Sequence, residues 1–294
     1  MFRLTAPRLL LLGGLFVPMF AGLAQDQPSA TLSPSPSPAA SVSPSPSASP
    51  AQLPSQAKPV DRVLVPVPKE VFNLLDQFHN ANWRAVERPQ ITEWKSHGDQ
   101  VQVALLLGTV VAEGFVAMEA EDSAEVRKLG NRALAFSRGL GVERNALRRS
   151  RAIMDRADAN DWPAARREWD GVLADLEKGM IGLQSESLAH LVSLSGWLRG
   201  TDALCVLVLQ DYSPEHAEVI RQPGIVDYLE QQIDEMKPGM RNHPMVKKLQ
   251  TGLRRIRELL GPEGMPLTAD NVKEIGKVCD GLVKVSSHRR DGKD

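Results

Sequence analysis

The segment Val101–Met118 is apolar at almost every position, and its polar residues are Gln102, Thr109 and Glu113. A helix that is apolar on all sides lies either in the centre of a protein core or across a membrane. The residues that follow, EAEDSAEV, are acidic where a membrane span has basic or aromatic anchors, and a glutamate inside a span is costly. The pattern therefore predicts a central core helix, and Ser187–Gln210 is a second strongly apolar segment.

The chain from residue 61 onwards has the hydrophobic spacing of amphipathic helices. Apolar residues recur every three or four positions, and Pro, Gly and capping residues separate the periodic segments. These segments are Lys69–Trp83, Ser123–Gly139, Glu143–Asn160, Trp162–Met180, Ile225–Met236, Asn242–Leu260 and a last helix capped by Thr268. No segment after the N-terminal region has the period of two that indicates a strand. The sequence therefore predicts an all-α protein, a helical bundle of roughly eight to ten helices in a single domain, residues 61–294.

The N-terminal region is typical of an exported protein. Residues 1–24 have two basic residues, Arg3 and Arg8, then the apolar run Leu9–Phe20 and a group of small residues that suits cleavage after position 24. The run is shorter than the ~20 residues of a membrane span, so we expect attachment to a membrane only if cleavage fails. Residues 25–60 are rich in Pro, Ser and Ala, which predicts a disordered linker. We therefore expect a periplasmic or secreted protein.

The charge and the motifs exclude several classes of function. The formal charge of −1 becomes −3 when the two arginines of the signal are removed, and this lacks the basic excess of a nucleic-acid-binding protein. The arginines between positions 148 and 156 lie among acidic residues, so we interpret them as a solvated face. Zinc, haem, di-iron and phosphate-binding motifs are absent, and Glu186 with His190 lacks a second pair of ligands. The sequence predicts no metal and no cofactor, and nothing in it indicates catalysis.

Each of the two apolar helices has glycines in its interior, where Gly costs up to ~1 kcal/mol relative to Ala and needs a structural reason. These residues are Gly108 and Gly114 in the first helix, and Gly196 and Gly200 in the second. The usual reason is a close helix crossing. Glu113 and Arg199 lie beside these glycines, and an unpaired buried charge would cost several kcal/mol. We therefore predict that the two helices cross closely and that Glu113 pairs with Arg199, or with another basic residue on a neighbouring helix.

The two apolar helices also resemble each other weakly. One contains Glu-Gly at 113–114 and the other Arg-Gly at 199–200, and in both an acidic break and a Glu-Val step follow. The spacing to that step differs, 12 residues from Glu113 and 19 from Arg199. Two interpretations stay open: two related halves about a pseudo-twofold axis, or chance similarity between leucine-rich helices.

The chain has two cysteines, Cys205 and Cys279, and both lie in apolar helical segments. An oxidising compartment would permit a disulfide bond between them. The interpretation that we favour is two separately buried thiols that pack as small apolar side chains.

The leading functional hypothesis is an exported, non-catalytic interaction or scaffolding module of the bacterial cell envelope, whose partner is an envelope protein that the sequence does not identify. The first alternative is a periplasmic bundle that binds a small hydrophobic ligand, with Glu113 or Arg199 as its polar anchor. The second is an enzyme of unfamiliar type that uses the same two charges. No nucleic-acid partner is expected.

Overall fold

The computed structural model of this protein describes residues 78, 81–169 and 171–287. The predicted signal peptide, the predicted linker and most of the predicted helix Lys69–Trp83 lie outside these residues. Of the described residues, 78% are helical and none is in a strand. The structure therefore confirms the prediction of an all-α bundle.

Eleven α-helices make up the described bundle, and nine of them have eight residues or more. In chain order they are α1 (Gln100–Glu119), α2 (Ser123–Gly139), α3 (Glu143–Asp158), α4 (Trp162–Trp169), α5 (Val172–Gly182), α6 (Glu186–Gln210), α7 (Pro214–Glu218), α8 (Pro223–Glu235), α9 (Pro238–Arg241), α10 (Pro244–Leu260) and α11 (Ala269–Val285). Two short 3-10 helices, Trp83–Ala85 and Pro89–Glu93, precede α1.

Capping side chains explain where several helices begin. The Asp99 carboxylate accepts a hydrogen bond from the backbone N–H of Val101 at 2.8 Å and so caps α1. Thr268 and Asn271 form a reciprocal capping box at the start of α11. These groups satisfy backbone N–H groups that have no partner within the first turn of a helix. The helix starts that the sequence predicts at Ser123, Glu143 and Trp162 are found at the same residues.

The predicted continuous helix Trp162–Met180 is wrong, because α4 ends at Trp169 and α5 begins at Val172. The guanidinium of Arg149 passes so close to Gly171 that a Cβ there would lie 2.1 Å from the Arg149 Cζ. The same guanidinium bonds to Asp175 through Nε and to Glu168 through Nη1, the latter at 3.3 Å. An arginine of α3 thus bridges the two shorter helices at the point where they are interrupted.

Helix α1 forms the centre of the core, with α2 and α6 packed against it and α11 packed against α6. By length and composition, α1 and α6 could each cross a membrane. Within the bundle, however, the apolar 18-residue stretch of α1 is 100% buried, and that of α6 is 94% buried. This burial is typical of core helices, and it agrees with the prediction made for Val101–Met118.

Candidate functional site

The backbones of α1 and α6 come into direct contact at Gly108. A Cβ at this position would lie 1.9 Å from the Val192 carbonyl oxygen and 2.2 Å from the Ser195 Oγ. On the facing helix, a Cβ at Gly196 would lie 3.4 Å from the Gly108 carbonyl oxygen, which is ordinary van der Waals contact. The closest approach therefore depends on Gly108 more than on Gly196.

The other two glycines do not have the same role. Gly114 packs against the indole of Trp169, and a Cβ there would lie 2.7 Å from the Trp169 Cη2. The expectation that Gly114 lies at the crossing with α6 is therefore wrong, because this position accommodates an aromatic ring of α4. Gly200 is buried in α6, next to Arg199.

Arg199 lies completely buried beside the crossing, and each of its three side-chain nitrogens has a partner. The Nε donates a hydrogen bond to Glu113 Oε2 at 2.6 Å, across from α6 to α1. The Nη1 donates to Asp202 Oδ2 at 3.1 Å, and the Nη2 donates to the Val86 carbonyl oxygen at 2.7 Å. Burial opposes the charged form of Arg199, but the negative charges of Glu113 and Asp202 outweigh it and raise its pKa.

A second arginine completes the cluster. The backbone N–H of Arg88 donates a hydrogen bond to Glu113 Oε1, and its guanidinium lies 3.8 Å from Asp202 Oδ2. Burial raises the pKa of Asp202, although the positive charges of Arg199 and Arg88 act in the opposite direction. Two carboxylates and two guanidinium groups thus form one charge cluster, Glu113, Asp202, Arg88 and Arg199, with formal charges that balance.

The segment that supplies Val86 and Arg88 closes over this cluster. We call residues 81–97 the strap; it contains both 3-10 helices and packs against α1 and α2. Trp83, Val86 and Ile91 are buried in the core, and the Trp83 ring meets the Phe115 ring edge-on with a centroid distance of 6.2 Å. The strap is therefore part of the core, although it is not an α-helix.

Both ends of the strap are fixed by glutamine side chains of the central helices. The Asn82 N–H donates to Gln210 Oε1 of α6 at 3.3 Å. The His97 N–H donates to Gln102 Oε1 of α1 at 2.9 Å. These bonds hold the strap across the side of the α1–α6 pair where the charge cluster lies.

The two cysteines are buried and their thiols are free. The disulfide that we considered is therefore absent from the structure. Cys205 instead packs against α11 at Gly276, where an added Cβ would lie 3.1 Å from the Cys205 Cβ. Burial raises the pKa of both thiols well above the ordinary value. Since the thiolate is the reactive form, both cysteines act as small apolar side chains.

The described residues offer no metal site, and one small cavity that they line lies apart from the two central residues of the charge cluster. Nowhere in the described ranges do three His, Cys, Asp or Glu side chains come together so that they could hold a metal ion. A cavity of about 20 Å³, room for roughly one water molecule, lies near Val110, Gly114, Leu129 and Trp169. Neither Glu113 nor Arg199 lines it.

Sequence reasoning identifies Glu113 and Arg199 but misses the other members of the cluster. Asp202 carries a usable signal, because it lies three residues after Arg199 and so shares a face of α6 with it. Arg88 and the Val86 carbonyl carry no such signal, because they belong to an irregular segment far from Arg199 in the sequence. The bond between Arg199 and Val86 joins residues 113 positions apart.

Comparison with known proteins adds no family or relative: no protein-family model, no curated protein and no solved structure matches the chain.

Proposed function

We propose that this protein is an exported, non-catalytic interaction or scaffolding module of the bacterial cell envelope. The closed charge cluster is the observation that carries this proposal. Ligand sites present a few unsatisfied polar groups to a cavity. Arg199 and Glu113 instead direct their polar atoms at one another, at Asp202 and at the strap. Their charges stabilise a rigid bundle and favour neither a ligand anchor nor a reactive pair.

The N-terminal sequence supports export and reach. Residues 1–24 have the charge, apolar run and small residues of a cleavable signal. An extended linker of residues 25–60 would span roughly 100 Å at ~3.1 Å per residue. Such a linker would let the N-terminal end of the mature chain reach an envelope partner at a distance from the folded body.

The experiment that tests the proposal follows the full chain, with a C-terminal tag, in a bacterial host. We expect the envelope fraction to contain a chain that begins at Gln25, and we expect native mass spectrometry to show no added small-molecule mass. Crosslinking in cells should join it to one envelope protein. The matched control is Leu11→Arg, which places a charge in the apolar run and should keep the chain unprocessed inside the cell.

Two outcomes would overturn the proposal. A wild-type chain that stays unprocessed in the cytoplasm contradicts export. A small molecule that copurifies at one equivalent supports the ligand-binding alternative instead. A variant without residues 28–59 tests the linker separately, because it should be exported and folded but should lose the crosslink if reach is needed.

A further inference from the structure

Glu87 is the one acid of the strap that lies between its two anchoring residues. Val86 accepts a hydrogen bond from Arg199, and Arg88 donates one to Glu113, so both neighbours of Glu87 hold the charge cluster. The Glu87 Oε1 is itself buried and has no hydrogen-bond partner among the described residues. The strap therefore cannot pack over the charge cluster without bringing the Glu87 carboxyl into this partly buried position.

The charged groups that face Glu87 are mostly negative. Those with the largest effect are Glu113 on α1, Asp122 between α1 and α2, Glu125 on α2, and the cation Arg84 on the strap itself. The cations near the three acids are engaged with them, since Arg199 binds Glu113 at 2.6 Å, Arg84 binds Asp122 at 3.0 Å and Lys128 binds Glu125 at 2.9 Å. An ionised Glu87 would be partly buried next to three other carboxylates, an arrangement that disfavours its charge.

We propose that the strap is a pH-responsive closure over the charge cluster. When Glu87 is neutral, the strap packs over the cluster. Its ionisation favours a partly open state, in which the hydrogen bonds from Arg199 to Val86 and from Arg88 to Glu113 are broken. The proton that Glu87 loses passes to solvent, and no other group has to change its charge.

The direction of the pH effect follows from the acid itself. Burial, together with the charges of Asp122, Glu113 and Glu125 and against that of Arg84, raises the pKa of Glu87 from 4.5 to about 7. A group whose pKa is raised by folding favours the folded form fully below its unfolded pKa. This contribution is lost as the pH rises through about 7. The strap should therefore be tightest in mild acid and loosest in mild alkali.

Hydrogen exchange of the full chain tests the proposal, read by mass spectrometry and corrected for the intrinsic exchange rate at about pH 5.5 and about pH 8.5. We expect the protection of amides in the strap to fall by about tenfold or more between the two, because the loss of one proton changes the opening equilibrium by about tenfold for each pH unit between the unfolded and the folded pKa. Peptides from α6 and α11 should stay better protected than the strap at both pH values, because their amides open only with the whole bundle.

Two variants on the strap separate this effect from general destabilisation. Glu87→Gln mimics the neutral acid and should keep strap protection high at both pH values. Glu93→Gln removes an exposed acid of the same strap and should retain the wild-type response. A wild-type strap whose protection does not change with pH, or a Glu87→Gln variant that responds like the wild type, overturns the proposal.

A direct titration of the Glu87 carboxyl by NMR in the wild-type chain does not depend on how any variant folds. A midpoint near neutrality supports the proposal, and a midpoint below about 5.5 overturns it. Neither measurement involves a partner or an envelope, so the result is independent of the proposed function.

Discussion

Arg199 is the largest side chain that the described part of the chain buries completely. Removing an arginine from water costs several kcal/mol unless its charge is paired and its side-chain nitrogens find acceptors. Here two carboxylates and one backbone carbonyl supply those acceptors. The arrangement requires that α1, α6 and the strap hold their relative positions, so the stability of one residue depends on three separate parts of the chain.

Truncation of either member of the central pair should be strongly destabilising. We expect Arg199→Ala and Glu113→Ala each to lower the free energy of unfolding by about 3 to 5 kcal/mol, measured by urea denaturation. The arginine variant should be the worse of the two, because it leaves the carboxylates of Glu113 and Asp202 buried close together.

The control for this prediction is a solvent-exposed ion pair on the surface of the same protein. The Arg255 Nη1 lies 2.9 Å from the Glu258 Oε2, and the two side chains are 55% and 65% exposed. Arg255→Ala should therefore change the free energy of unfolding by less than ~1 kcal/mol. A loss of under ~0.5 kcal/mol in Arg199→Ala would contradict the view that the buried charges matter for stability.

At the same scale, the sequence identifies the residues of the cluster only in part. Glu113 and Arg199 can be found because each interrupts an otherwise apolar helix, and a buried charge needs a partner. The Val86 carbonyl and the Arg88 N–H are backbone groups of an irregular segment. No hydrophobic period marks such groups, so their contacts become visible only in the folded chain.

At the scale of elements, the α1–α6 crossing fixes the core. Gly108 of α1 lies against the Val192 carbonyl and the Ser195 hydroxyl, which themselves are joined by a hydrogen bond of 3.1 Å. Ser195 Oγ and Val192 belong to one turn of α6, so the contact surface is a rigid piece of helix. The distance between the two central helices is therefore set at this glycine.

A single methyl group at the crossing should separate the two helices. We expect Gly108→Ala to destabilise the protein by about 1 to 3 kcal/mol, because overpacking forces backbone shifts. The matched control is Gly281→Ala in α11, where a Cβ would meet nothing within 4 Å. That variant should be neutral or gain up to ~1 kcal/mol from helix propensity.

Thermal unfolding of the two alanine variants measures this difference. Equal midpoints would show that the α1–α6 crossing tolerates a side chain at Gly108. A lowered midpoint in the Gly281 variant alone would contradict the assignment of the close approach to the crossing.

The bounds of most helices follow from local sequence, whereas their interruptions do not. Asp99, Thr268 and the prolines at the starts of α8 and α10 mark helix ends by chemistry that acts within a few residues. The break between α4 and α5 lies at Gly171, which is in contact with Arg149 of α3, a residue far from it in the sequence. The hydrophobic period of one helix carries no information about a side chain that reaches it from another element.

For the whole molecule, the free cysteines mean that the described bundle is held together without a covalent crosslink. We expect the denatured, unreduced protein to take up two alkylating groups, at Cys205 and Cys279, and the native protein to react slowly. Reductant should leave the thermal midpoint unchanged. Uptake of two groups only after reduction would show that the exported protein forms the bond after all.

The hydrophobic periodicity predicts an all-α body, which the structure confirms, and the N-terminal pattern predicts an exported chain, which stays a prediction. They do not predict a partner, because partner choice depends on surface groups whose arrangement no periodicity encodes. The pseudo-twofold relation between the two apolar helices likewise stays one of two open interpretations.

The position of the strap in the chain has a mechanical consequence. Any tension applied from the N-terminal side reaches residues 81–97 before it reaches α1, since the strap comes first along the polypeptide. Val86 and Arg88 would then separate from the charge cluster one after the other. Arg199 would lose the Val86 carbonyl as an acceptor while the helices are still packed. The molecule should therefore yield first at its N-terminal edge, where a pulling force would expose the charged centre of the bundle.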